Sequence, residues 1–116
     1  METTDILQYI LPEQILDYFE VTRITTEEKG KLVIYLDEKN QLPTDLPEGE
    51  YESKGFTAAT KIQDFPIRER AVFLRVRRRK WLNKQTGKIY NSRWDLSVSG
   101  TKYTKEFGAF LKEIAG

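Results

Sequence analysis

The chain contains neither cysteine nor histidine. Without cysteine there is no disulfide framework and no thiolate metal site. With histidine absent as well, a structural zinc site loses its nitrogen and sulfur ligands, and the most common general bases and nucleophiles are missing. No apolar run approaches the roughly 20 residues of a membrane-spanning helix. The phosphate-cradling and dinucleotide-binding glycine patterns are absent too. The first residues, Met1-Glu2-Thr3-Thr4-Asp5, are acidic and do not read as a signal peptide. These gaps argue against an enzyme, a cofactor, a metal and a membrane protein, and for a cytoplasmic location. The carboxylates cluster in turn-like stretches (Glu27-Glu28, Asp37-Glu38, Glu48 to Glu52), where solvated acids are the ordinary explanation.

What is present is a single-domain length of 116 residues, 39% hydrophobic and 32% charged, a globular balance. The net charge of +1 hides a division. Residues 1–67 hold 6 Lys/Arg against 14 Asp/Glu, a net of −8, and residues 68–116 hold 13 against 4, a net of +9. Such a split suggests an anionic partner for the second half. The plainer reading is that the two halves neutralise each other within one fold.

Pattern and breakers predict an α+β domain spanning 1–116. An acidic helix–hairpin part covers 1–50, a basic β-meander 51–100 and a C-terminal helix 101–116. Residues 5–19 read as helix in two pieces divided at Pro12, with Ile6, Leu7, Ile10, Leu11, Ile15, Leu16 and Phe19 on the apolar face. Val21–Thr26 and Lys31–Asp37 read as a small hairpin turned at Gly30, and 38–50 as a connecting loop. Phe56–Asp64, Ala71–Leu82 and Lys88–Val98 read as a three-stranded antiparallel meander. Its last hairpin loop, Asn83 to Gly87, has Gly87 in the left-handed region. Thr104 caps a helix over Lys105–Ile114 striped by Phe107, Phe110, Leu111 and Ile114.

The long central strand carries the chemistry. Alternation puts Val72, Leu74 and Val76 on one face, and Phe73, Arg75, Arg77, Arg79 and Trp81 on the other. Centring the hairpin on Gln85 sets Val76, Leu74 and Val72 opposite Trp94, Leu96 and Val98. It also sets Arg77 opposite Arg93, Arg75 opposite Asp95, Arg79 opposite Asn91 and Trp81 opposite Ile89. Two arginines facing each other repel unless an anion lies between them. Guanidinium groups match phosphate oxygens and guanine edges bidentately, and a two-stranded ribbon fits a major groove. The expected nucleic-acid-binding residues are Arg75, Arg77, Arg78, Arg79, Lys80, Trp81, Lys84, Lys88 and Arg93, with Trp81 packing at the rim and Lys102 widening the field. Lysine and arginine also protect edge strands from aggregation, so the run alone has little specificity.

The stretch DFPIRERAVFLRVRRRKWLNKQTGKIY (64–90) resembles the N-terminal region of bacterial insertion-sequence transposases of the ISAon type, related to the ISL group. Asp64-Phe65-Pro66 matches that family's Asp-Leu-Pro element, and Arg77-Arg78-Arg79 with Trp81 its basic–aromatic element. Asn83-x-x-Thr86-Gly87 occupies the Cys-x-x-Cys-Gly knuckle of a zinc ribbon. Both cysteines are replaced, so a metal does not carry over and the ribbon is a degenerate one. The resemblance extends from LPEQILDYFE (11–20) to TKEFGAFLKEI (104–114). It implies a module that recognises the ends of a transposable element on double-stranded DNA, alone or with a separately encoded catalytic transposase chain, and sits on the nucleoid when bound. The alternative is a protein-interaction module docking an acidic partner such as that catalytic subunit.

Overall fold

The computed structural model describes residues 9–12, 15–91 and 104–115. They form a small β-rich domain with two sheets and few helices. A four-residue helix, α1 (Ile15–Tyr18), runs directly into strand β1 (Phe19–Thr26). Strands β2 (Leu32–Glu38), β3 (Tyr51–Phe56), β4 (Thr60–Ile67), β5 (Arg70–Arg77), β6 (Arg79–Asn83) and β7 (Ile89–Asn91) follow, then helix α2 (Lys105–Ala115). The larger sheet has the order β1-β2-β5-β4 and the smaller one β3-β6-β7. Among the described residues no helix is long and apolar enough to cross a membrane.

The larger sheet consists of two hairpins joined along their second strands. The β1–β2 hairpin is the expected one, with Gly30 at φ 73 in its turn. Strands β4 and β5 meet across a two-residue turn in which Arg68 (φ 50) and Glu69 (φ 67) both have positive φ, the sign of a type I′ connection. Pro66, which has no N–H to offer a ladder, falls where the β4 register slips, between Asp64 and Ile67. The hairpins then join in parallel, with Leu32 beside Val72, Ile34 beside Leu74 and Leu36 beside Val76. The apolar face so formed buries Ile34, Leu36, Ile62, Val72, Leu74 and Val76 against Leu11, Ile15 and Phe19. Each fully buried aliphatic side chain there contributes about 1.5–3 kcal/mol.

Three expectations are corrected. The meander does not form as drawn, because both hydrogen-bonding edges of β5 are occupied by β2 and β4. Trp94, Leu96 and Val98, its expected partners, lie outside the described residues. The strand expected over Ala71–Leu82 is broken at Arg78, and its second part belongs to the other sheet. Of the helix expected over 5–19, residues 5–8, 13 and 14 lie outside the described residues, and Ile15–Tyr18 is helical. Tyr9–Pro12 is turn and bend, Ile10 is exposed, and Phe19 enters the core from a strand.

Helix α2 forms where expected. Thr104, fully buried, receives the amide of Phe107 on its Oγ1 at 3.3 Å and donates its hydroxyl to Asp64 Oδ1 at 2.8 Å. Its own amide donates to the Gln63 carbonyl at 2.9 Å, and Phe107 packs on Phe65 with ring centroids 5.1 Å apart. One threonine thus caps the helix and fastens it to β4.

Candidate nucleic-acid interface

The arginine run divides at the break between sheets. Residues 73, 75 and 77 alternate with the buried Val72, Leu74 and Val76, so they point to the outer face of the larger sheet. There Arg75 is exposed and lies between Tyr35 on β2 and Lys61 on β4. Arg77 is exposed too but already holds a carboxylate. Its Nε and Nη2 donate to Asp37 Oδ1 and Oδ2 at 2.7 and 2.6 Å, across the parallel β2–β5 pair. The carboxylate raises the Arg77 pKa still further above its usual value. Asp37, not Arg93, is therefore the neighbour across from Arg77; Arg93 lies outside the described residues.

Arg78 and Arg79 make the joint. The Arg78 carbonyl accepts the Thr57 amide at 2.7 Å, while its amide donates to Thr57 Oγ1 at 3.2 Å. Arg79 is half-buried and latches the two sheets. Its amide donates to Glu38 Oε1 (2.8 Å), its Nε to the Glu38 carbonyl (3.0 Å) and its Nη1 to Ser53 Oγ (3.0 Å). Both Arg77 and Arg79 lie over the Phe56 ring, at 4.4 and 4.7 Å. The acidic half thus supplies the Asp37 carboxylate to the Arg77 guanidinium and the Glu38 carboxylate to the Arg79 backbone amide.

Trp81 is not at a rim. It is 5% exposed, on the inside of the smaller sheet, where its indole Nε1 has no hydrogen-bond partner among the described residues. The smaller sheet also corrects the pairing by one residue: Lys80 faces Asn91, Trp81 faces Tyr90 and Leu82 faces Ile89. The loop is a residue longer than a Gln85-centred turn. The Asn83 amide donates to the Lys88 carbonyl (2.9 Å) and the Gly87 amide to the Asn83 carbonyl (2.8 Å), with Gly87 at φ 75 as expected. Lys84 and Lys88 are exposed on this hairpin, Lys84 at 4.0 Å from Glu52, and Lys80 is half-buried.

At the position matching the first knuckle cysteine, the buried Asn83 organises the loop. Its Oδ1 accepts the amides of Gln85 (2.9 Å) and Thr86 (3.1 Å), and its Nδ2 donates to the Tyr51 hydroxyl at 3.2 Å. Gly49 passes close by. A Cβ there would come within 2.7 Å of Asn83 Nδ2, and its φ of 145 disfavours any other residue.

The outer face gains residues that the sequence run does not contain. Arg23 on β1 pairs with Tyr35, and its guanidinium sits 4.2 Å above that ring. Lys61 on β4 lies 4.5 Å over the Phe73 ring, with Lys31 at 5.7 Å. Exposed cation–ring contacts of this kind are worth about 0.5–1 kcal/mol each. The Arg23 guanidinium beside it holds the Tyr35 pKa below its usual value. Thr22, Arg23, Tyr35, Asp37, Ala59, Arg75 and Arg77 line an open depression of about 260 Å³. Among the described residues, five cations (Arg23, Lys31, Lys61, Arg75 and Arg77) therefore gather on one sheet face around two aromatic rings, with Asp37, Glu20 and Glu27 as the nearby carboxylates. Alternation within the β1–β2 hairpin already puts Arg23 and Tyr35 together. Their union with Arg75 depends on the parallel β2–β5 pairing, for which the sequence carries no local signal. No protein-family model, curated protein or solved structure matches the chain.

Proposed function

We propose that the chain is a DNA-binding module of an insertion-sequence transposase, serving to recognise element ends and carrying no catalytic activity of its own. The observation that supports this reading is the outer face of the larger sheet, where Arg23, Arg75 and Arg77 line an open depression and Lys61 lies beside Arg75 on the neighbouring strand. Clustered guanidinium and ammonium groups on an open surface attract phosphate by counterion release. The binding set shifts accordingly. Arg75 and Arg77 stay, Arg23 and Lys61 join them, and Lys84 and Lys88 form a second basic site on the hairpin. Arg79 and Trp81 serve the fold.

A protein-interaction role has one observation in its favour: Arg77 already grips a carboxylate bidentately, the geometry an acidic partner would use. Mobility shifts at about 50 mM salt separate the two readings. DNA is supplied as generic duplex, as duplex carrying an inverted-repeat end, and as the single strands of each. DNA binding predicts a shift that fades steeply with salt and is lost in Arg75→Gln combined with Lys61→Gln. No shift with any form sinks the proposal.

A further inference from the structure

We infer that the outer face of the larger sheet takes single-stranded rather than duplex DNA, with bases stacked on Tyr35 and Phe73 and backbone phosphate in the depression between Arg23, Arg75 and Arg77. The inference rests on the DNA-binding reading and makes it more specific.

Three features of the face carry it. First, the rings sit on the two central strands and on the same side. Tyr35 is level with Arg75, so Phe73 is two residues further along the neighbouring strand. With strands about 4.8 Å apart and about 3.3 Å rise per residue, the two positions are roughly 8 Å apart diagonally. Adjacent bases of an extended strand, splayed from one another, can each reach a ring. In a duplex the base faces are stacked on each other and closed to such contacts. Second, the surface is a four-stranded sheet flank rather than a projecting helix or ribbon. Among the described residues it offers no element to enter a major groove, but it gives a sheet surface with exposed rings on which bases can stack.

Third, the cations are placed to exchange partners. In the free protein Arg23 covers Tyr35 at 4.2 Å and Lys61 covers Phe73 at 4.5 Å. Stacking a base on an aromatic ring is worth more than an exposed cation–ring contact. An arriving base therefore displaces the cation from the ring face, and the freed charge meets the phosphate beside that base. Arg77 stays fixed by Asp37 and marks one end of the track.

The test is fluorescence anisotropy with a labelled 12-nucleotide single strand of mixed sequence and with the same strand in duplex, titrated with the full chain over a range of salt. Tighter binding of the single strand by about tenfold or more is expected. Tyr35→Leu and Phe73→Leu, which keep apolar bulk on half-buried positions, should each weaken single-strand binding about tenfold with the salt slope unchanged. Arg23→Gln, an exposed substitution that leaves the core alone, should reduce the slope by about 0.7. Circular dichroism and thermal melts establish that each variant is folded. A duplex bound as tightly as the single strand overturns this inference and leaves the DNA-binding reading standing. So do folded ring variants that bind like the parent. Binding of neither form overturns both.

Discussion

Asp37→Asn should weaken the fold and strengthen DNA binding. Asp37 is nearly buried, with 12% side-chain exposure, and takes both donors of a half-exposed Arg77 at 2.6–2.7 Å. Asparagine keeps one acceptor and loses the charge. The stability cost is about 1 kcal/mol, between an exposed ion pair and a charge-assisted hydrogen bond. That lowers Tm by about 4 °C in a domain of this size. Removing the carboxylate also releases Arg77 to a phosphate. One added contact steepens the salt dependence on a single strand by about 0.7, so affinity rises about eightfold at 50 mM salt and about threefold at 200 mM. Arg77→Gln makes the comparison: its Tm falls by a similar amount, but its affinity falls too. Thermal melts and anisotropy across both salt concentrations read the pair. If Asp37→Asn weakens binding in step with its Tm, or leaves the salt slope untouched, the reasoning that places phosphate beside Arg77 is wrong.

Replacing Arg68-Glu69 by Asn-Gly should raise stability by about 1–2 kcal/mol, since both positions hold positive φ that side chains resist; denaturant melts would show it, and no gain would argue against the turn. Asn83→Ala should cost about 2–4 kcal/mol by leaving the Gln85 and Thr86 amides without their acceptor; the loss would register as a lower urea midpoint. Thr104→Val should cost about 2–3 kcal/mol, removing the cap on α2 and the bond to buried Asp64 while keeping shape. Arg23→Gln should move the Tyr35 titration up toward the ordinary phenol range, followed by ultraviolet absorbance, because the Arg23 guanidinium is the main influence holding it down.

Local signals in the sequence were legible where the determinant is local. The β1–β2 hairpin, the 38–50 connection, left-handed Gly87 and the Thr104 cap all follow from a few adjacent residues. The strand over Ala71–Leu82 misleads because the apolar–polar alternation gives no sign of the break at Arg78. Odd-numbered residues of β5 face out, as Arg75 and Arg77 do, but Trp81 and Asn83 on β6 face in once the chain has changed sheets. The β6–β7 register differs by one from a Gln85-centred hairpin because the Asn83 to Gly87 sequence does not fix the length of its loop. The site was half legible. Arg75 and Arg77 stand out in the run, whereas Arg23, Tyr35 and Lys61 reach them only through pairings between distant segments.

The parallel β2–β5 pairing also sets when the candidate surface can exist. It closes a stretch of 40 residues, from Leu32 to Val72, before any of its contacts is gained. Such a closure is paid in chain entropy and slows folding relative to local hairpins. The two hairpins can each form early, one with Arg23 and Tyr35, the other with Lys61, Phe73 and Arg75. Neither alone presents a complete track. A chain still emerging from synthesis, or cut between the hairpins, would carry most of the same charges without the surface that orders them.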